Sequence, residues 1–149
     1  MKEEALTLIK KAMLHENEGA NYYREQSRQW HEAQVVENFI KLAKEEDLHG
    51  LWLKELFEEK KDFGDSKLLS FMKDVRGPEL FDWSDVKKIN DYKVKDVFKK
   101  GMEMEASAFT YYENAKAFTD DFETLHLLDL LITWEKSHYN TLKSVYDAL

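Results

Sequence analysis

The chain has no cysteine, which removes disulfides, zinc fingers, Cys-ligated iron–sulfur clusters and thiol chemistry. One proline and five glycines leave few chain breakers, which favours long helices over a turn-rich β fold. No apolar run approaches the ~18 residues of a membrane helix, so no membrane partner is expected. Basic residues are in deficit. There are 22 Lys and Arg against 30 Asp and Glu, a formal net charge of −8. The pairs Lys10-Lys11, Lys87-Lys88 and Lys99-Lys100 are too scattered to track phosphates, so no nucleic-acid partner is expected either. The opening Met1-Lys-Glu-Glu-Ala-Leu carries two acids and no apolar core of a secretory signal, which makes the cytoplasm the default address. What is present is a core: 43% hydrophobic residues in 149 positions predict one folded domain spanning 1–149.

Apolar residues recur at helical spacing over four stretches. Leu6, Ile9, Met13, Ala20 and Tyr23 predict helix 1 at about 3–29. Val35, Phe39, Leu42, Leu53 and Leu56 predict helix 2 at about 33–60. Phe98, Met102, Phe109 and Tyr112 predict helix 3 at about 94–118. Leu128, Leu131, Leu142 and Val145 predict helix 4 at about 121–148. Short connections force antiparallel neighbours, whereas the long segment 62–93 allows a crossover between parallel helices. The expectation is an all-α four-helix bundle, two antiparallel hairpins joined by one crossover. Within the crossover, Leu68, Leu69, Phe71 and Met72 offer one face of a short helix at Lys67–Val75.

The two hairpins repeat each other. A shift of 89 positions places Met13 on Met102, Glu16 on Glu105, Tyr22-Tyr23 on Tyr111-Tyr112, Leu42 on Leu131, Glu46 on Glu135, His49 on His138 and Leu53 on Leu142. A repeat of this length marks a duplicated structural unit. Glu16 and Glu46 lie equidistant from the first turn, and Glu105 and Glu135 from the second. Both helices of a hairpin rise ~1.5 Å per residue, so each pair faces across its hairpin at one height.

These acids sit on the apolar stripes. Helix 2 reads Val35, Phe39, Leu42, Glu46, His49, Leu53, Leu56, and helix 4 reads Leu128, Leu131, Glu135, His138, Leu142, Val145, in steps of three and four. Glu16 and Glu105 interrupt helices 1 and 3 likewise. A solvated acidic face is the commoner origin of such residues, but a solvated Glu has no reason to alternate with core residues on both sides. Four uncompensated carboxylates in a core are costly. Two divalent cations balance their charge and leave two neutral imidazoles as nitrogen ligands. The six residues Glu16, Glu46, His49, Glu105, Glu135 and His138 are therefore candidate ligands of two metal ions. Iron or manganese suits a carboxylate-rich set with His, and zinc is an alternative. A metal-free polar core is the competing reading. A third Glu-x-x-His, Glu123 to His126, has no repeat counterpart and falls ~120° around the helix from Glu135, on the expected surface.

One Glu on each of two helices and Glu-x-x-His on each of the other two resembles the ferritin-like di-iron carboxylate proteins. Glu16 followed by Tyr22-Tyr23, and the run Leu42-Ala-Lys-Glu-Glu-Asp-Leu-His49, resemble their rubrerythrin branch. The resemblance implies that Glu46 and Glu135 bridge two iron ions, that Glu16 and Glu105 are terminal ligands, and that His49 and His138 each cap one metal. It implies an oxidoreductase reducing peroxide or oxygen, with the small-molecule oxidant and a separate electron donor as partners, and is compatible with a homodimer. The donor must be separate because rubrerythrins proper carry a Cys-ligated rubredoxin-type domain, and this chain has no Cys. They also carry a second helix-3 glutamate in a Glu-x-x-Glu pair of the peroxidase cycle. Here the positions three before and three after Glu105 are Met102 and Ala108, and Glu103 points to another face.

Tyr23 and Tyr112 follow Glu16 and Glu105 by seven residues on the same stripe, and are the candidate catalytic residues. They could hydrogen-bond a ligand carboxylate or carry an oxidising equivalent, although core filling is the commoner role. Trp52 and Trp134 flank the helix-2 and helix-4 acids and read as core packing. Gly19 and Gly50 lie inside helices at a cost of about 1 kcal/mol each relative to Ala, which points to space needed near the acids or to close helix packing. Two rival functions remain: an iron-handling ferroxidase, and a metal-stabilised structural bundle without redox activity. Chemistry on an organic substrate would require an access pocket.

Overall fold

The computed structural model describes residues 2–62, 77, 78 and 81–149. Four α-helices make up the bundle among these residues: α1 (Lys2–Ser27), α2 (Ala33–Asp62), α3 (Lys93–Ala115) and α4 (Phe122–Ala148). No strand occurs among the described residues, and no helix there is long and apolar enough to cross a membrane. The short helix expected at Lys67–Val75 lies outside the described residues.

Helix ends differ from expectation where the last turn tightens. Helix 1 is expected to reach residue 29, but Arg28 and Gln29 donate to the carbonyls of Glu25 and Gln26, three residues back, and α geometry stops at Ser27. Helix 3 likewise leaves α geometry at Ala115 and continues as a 3-10 turn over Lys116–Phe118. Such tightening satisfies terminal carbonyls that an α-helix leaves orphaned.

The start of α4 is capped. The Asp121 carboxylate accepts from the Thr124 N–H at 3.0 Å and from its hydroxyl at 2.7 Å, and Lys60 at the end of α2 reaches Asp121 at 2.9 Å and Glu123 at 3.4 Å. One side chain thereby closes a helix terminus and ties the two hairpins together. Asp121→Ala is expected to cost about 1–2 kcal/mol of unfolding free energy, mostly through the lost cap. Urea denaturation of the two proteins would measure it, and an unchanged midpoint would refute it.

Contacts across the bundle fix its polarity. The Tyr111 hydroxyl donates to the Leu8 carbonyl at 3.1 Å, and the Tyr22 hydroxyl to the Val97 carbonyl at 2.8 Å. Residue number thus rises along α1 as it falls along α3, so the two run antiparallel. His49 meets Glu135 and His138 meets Glu46, so α2 and α4 also run antiparallel. It follows that α2 and α3 point the same way.

The core divides into two apolar halves. One holds Ile9, Trp52, Leu53, Leu56, Tyr112, Leu127, Leu131 and Trp134; the other holds Tyr23, Val35, Phe39, Leu42, Phe98 and Leu142. Phe81, Trp83, Val86 and Ile89 close the second half. Trp83 packs edge-on against Phe39 and Phe98, with ring centroids 5.2 Å apart in each pair. Asn38 holds the Asp82 carbonyl at 2.6 Å, and Gln34 accepts from the Asp85 N–H at 2.7 Å, just before and within the short turn Ser84–Lys88. The charged residues lie between the two halves.

Candidate metal centre

Glu16, Glu46, His49, Glu105, Glu135 and His138 are all buried, each at most 3% exposed, and they meet at the middle of the bundle. They form two four-residue groups, Glu16–Glu46–His49–Glu135 and Glu46–Glu105–Glu135–His138, each with its ligand atoms within 4.8 Å of one another. Glu46 and Glu135 belong to both. Each imidazole aims Nδ1 inward: His49 Nδ1 lies 2.7 Å from Glu135 and 3.4 Å from Glu16, and His138 Nδ1 lies 3.1 Å from Glu46 and 3.5 Å from Glu105.

The sequence repeat reappears as paired contacts. Tyr23 donates to Glu105 Oε1, and its counterpart Tyr112 donates to Glu16 Oε1, each at 2.5 Å. His49 with Glu135 and His138 with Glu46 form a second pair, and the two tyrosine–carbonyl bonds a third. Every one of these contacts joins one hairpin to the other. The expectation that Tyr23 and Tyr112 could reach a carboxylate holds in this geometry, although each reaches the acid of the opposite hairpin.

One residue at the site carried no sequence signal. Glu45 is buried at 8% exposure and hydrogen-bonds His138 Nε2 from outside the cluster. A carboxylate there fixes the ring's orientation and tautomer. The repeat places Trp134 where Glu45 should recur. That indole stands edge-on to His49 at 4.8 Å between ring centroids, and His49 Nε2 has no hydrogen-bond partner. The two halves are therefore alike toward the centre and different behind it. Of the remaining sequence candidates, His126 is exposed beside Phe122, Glu123 pairs with Lys60, and Glu103 is exposed. His15 is half-buried against Tyr111, with ring centroids 4.9 Å apart.

Crowding shifts the ionisation of the whole cluster. Burial, with the nearby Glu46 charge, pushes Glu16 up to about 8. Burial and the Glu105 and Glu16 charges push Glu135 up to about 8, and Glu46 is raised for the same kind of reason. Glu105 goes the other way. Burial raises it, but the adjacent Glu135 carboxyl group and the His138 charge outweigh this and hold it at about 2. Burial lowers both histidines, yet the facing carboxylates, led by Glu16 for His49 and Glu105 for His138, keep both well above the usual imidazole range. The tyrosines stay neutral, raised well above 10 by burial and adjacent acids. Protons here stand where cations would otherwise balance the acids.

The donor set fits a pair of cations. Glu16 Oε2, Glu105 Oε2 and Glu135 Oε2 are buried with no hydrogen-bond partner. An orphaned carboxylate oxygen is expensive in a low-dielectric interior unless a charge pairs it. A family model described as Rubrerythrin matches residues 7–146. The chain belongs to the rubrerythrin family. No curated protein and no solved structure matches it significantly. Rubrerythrins are ferritin-like di-iron proteins, and no rubredoxin domain is evident in these 149 residues. Family and cluster together suggest a dimetal centre in this rubrerythrin, with the metal itself unspecified.

Proposed function

We propose that this chain is a di-iron carboxylate oxidoreductase that reduces peroxide or oxygen with electrons from a separate donor. The observation that carries the reading is the overlap of the two four-residue groups in Glu46 and Glu135. Glu46 and Glu135, common to both groups, would help hold both of two metal ions, an arrangement suited to two-electron chemistry. Glu16 and His49 would complete the set for one ion, and Glu105 and His138 the set for the other. When bound, the two irons would supply the two electrons that, with two protons, convert hydrogen peroxide to two waters.

The protein's own part is positional. Tyr112 and Tyr23 hold Glu16 and Glu105 by one oxygen each and leave the other oxygen unpartnered. Glu45 holds His138 by the nitrogen that faces away from the cluster. The apolar halves of the core above and below surround the carboxylates with low-dielectric packing, which strengthens the charge interactions among them.

The test is anaerobic. Iron-loaded, chemically reduced protein is mixed with peroxide, and oxidation of the centre is followed by absorbance. It should outpace a Glu46→Ala sample treated identically by about tenfold or more. Equal rates would exclude peroxide as substrate of this centre. The same experiment with oxygen ranks the two oxidants. Metal analysis of the protein as isolated separates this reading from a structural bundle, which would hold zinc or nothing.

A further inference from the structure

A cavity of about 550 Å³ opens between α1 and α2, with Met13 and Leu14 on one wall, Asp47 and Gly50 on the other, and Glu16 and Glu46 at its lining. Leu14 is 61% exposed at this face, while Glu16 and Glu46 are 1% and 3% exposed. The cavity therefore leads from solvent to two of the buried acids. Gly50 is part of its lining, on the α2 wall facing Glu16. A methyl group built there would come within 3.9 Å of Glu16 Cβ, an ordinary van der Waals contact. Glycine leaves that position open, and a side chain larger than alanine's would extend into the space beside Glu16.

In the other hairpin the corresponding position is occupied by packed rings. The 89-residue repeat sets Tyr139 at the position of Gly50 and Phe109 at that of Ala20. These two rings pack edge-on, 5.7 Å between centroids, and Lys136, at the position of Asp47, lies over Phe109 and pairs with Glu113 at 2.7 Å. A helix interior pays about 1 kcal/mol for glycine over alanine, so Gly50 costs stability that Tyr139 does not.

We propose that Gly50 forms the throat through which small species reach the carboxylates, and that access is one-sided, through the α1–α2 face. The species it would admit are small ones: a divalent cation shedding its water, hydrogen peroxide or dioxygen. The proposal rests on the dimetal reading and adds to it the class of molecule the site admits.

The test separates passage from affinity. Cobalt(II) chloride is added to metal-free protein, uptake is followed by the visible absorbance of bound cobalt, and removal is followed after adding EDTA. In Gly50→Val, uptake and removal should both slow by about tenfold or more, with the equilibrium affinity unchanged within about twofold. Gly50→Ala, which fits the available space, should fold at least as stably and show a smaller slowing of the same kind. Tyr139→Ala added to Gly50→Val should restore part of the rate by opening the second face. Unchanged uptake in Gly50→Val would overturn the proposal, and so would a weakened equilibrium affinity with unchanged removal, which marks damage to the site rather than to the path. Failure of the unaltered chain to bind cobalt would instead sink the dimetal reading itself.

Discussion

Glutamine in place of Glu135 is expected to leave the chain folded and strip it of metal. Glu135 belongs to both four-residue groups, so its change strikes both positions at once. The carboxamide keeps the shape of the side chain, which avoids the cavity that alanine would leave. It removes one buried acid from a cluster already crowded with them, so the metal-free variant should be no less stable at pH 8 than the parent. The metal-loaded comparison should reverse. Affinity should fall by more than the roughly 10–100-fold typical of losing an outer hydrogen-bond partner, because on the proposed dimetal reading Glu135 is a charged ligand common to both ions. Titration calorimetry with elemental analysis would measure this, against Glu105→Gln, which touches only one group. If Glu135→Gln kept a full complement of metal, the two positions would not share that residue.

The second large effect is in how stability follows pH. Glu16 and Glu135 keep their protons up to about pH 8 in the folded chain, whereas unfolded glutamates lose theirs near 4.5. Both buried histidines likewise hold protons above the unfolded value of 6.5. Between about pH 5 and 8 the folded state therefore binds more protons than the unfolded one, and stability must fall as pH rises. Glu105, held at about 2, opposes this only below the unfolded glutamate value, outside that window. The metal-free protein should thus melt at steadily lower temperature from pH 5.5 to 8.5. Metal binding needs the same groups deprotonated, so it should release protons and tighten as pH rises. At a free metal concentration about 1,000 times Kd the gain is about 4 kcal/mol, or roughly 8–16 °C for a chain of this size. Differential scanning calorimetry of both forms across this range would show the gap widening with pH. A metal-free melting temperature that climbs toward pH 8.5 would contradict the ionisation pattern.

Most of the architecture could be read before any coordinates. Periodicity locates helices because each buries one stripe, and the 89-residue repeat distinguishes acids on the stripe from acids on the surface. The six residues that the repeat picks out lie together in the structure. Glu45 was invisible for the same reason that the others were visible. It breaks the repeat, sits one position off the stripe beside Glu46, and acquires a role only because His138 arrives from the other hairpin. The tyrosines were legible as stripe residues, but their partners were not, since a single helix cannot say which opposing acid a hydroxyl will reach. Gly50 stood out as a helix breaker kept at a cost. Its effect depends on comparison with Tyr139, a contrast between faces rather than a property of one position. The packing of Trp83 over Phe39 and Phe98 had no periodic signal, because a short irregular segment carries none.

The exchange of contacts between hairpins has one more consequence. Each hairpin supplies two glutamates and one histidine, and the two tyrosine hydroxyls and the shortest imidazole contact within the cluster on each side reach a carboxylate of the opposite half. Neither half is a smaller version of the whole. Two copies of the first hairpin, related by a twofold axis, would still present four glutamates and two histidines, now with Glu45 behind both imidazoles and glycine on both faces. The joined chain can carry tryptophan behind one ring and tyrosine on one face because its halves are free to diverge, which a symmetric pair of identical subunits never is.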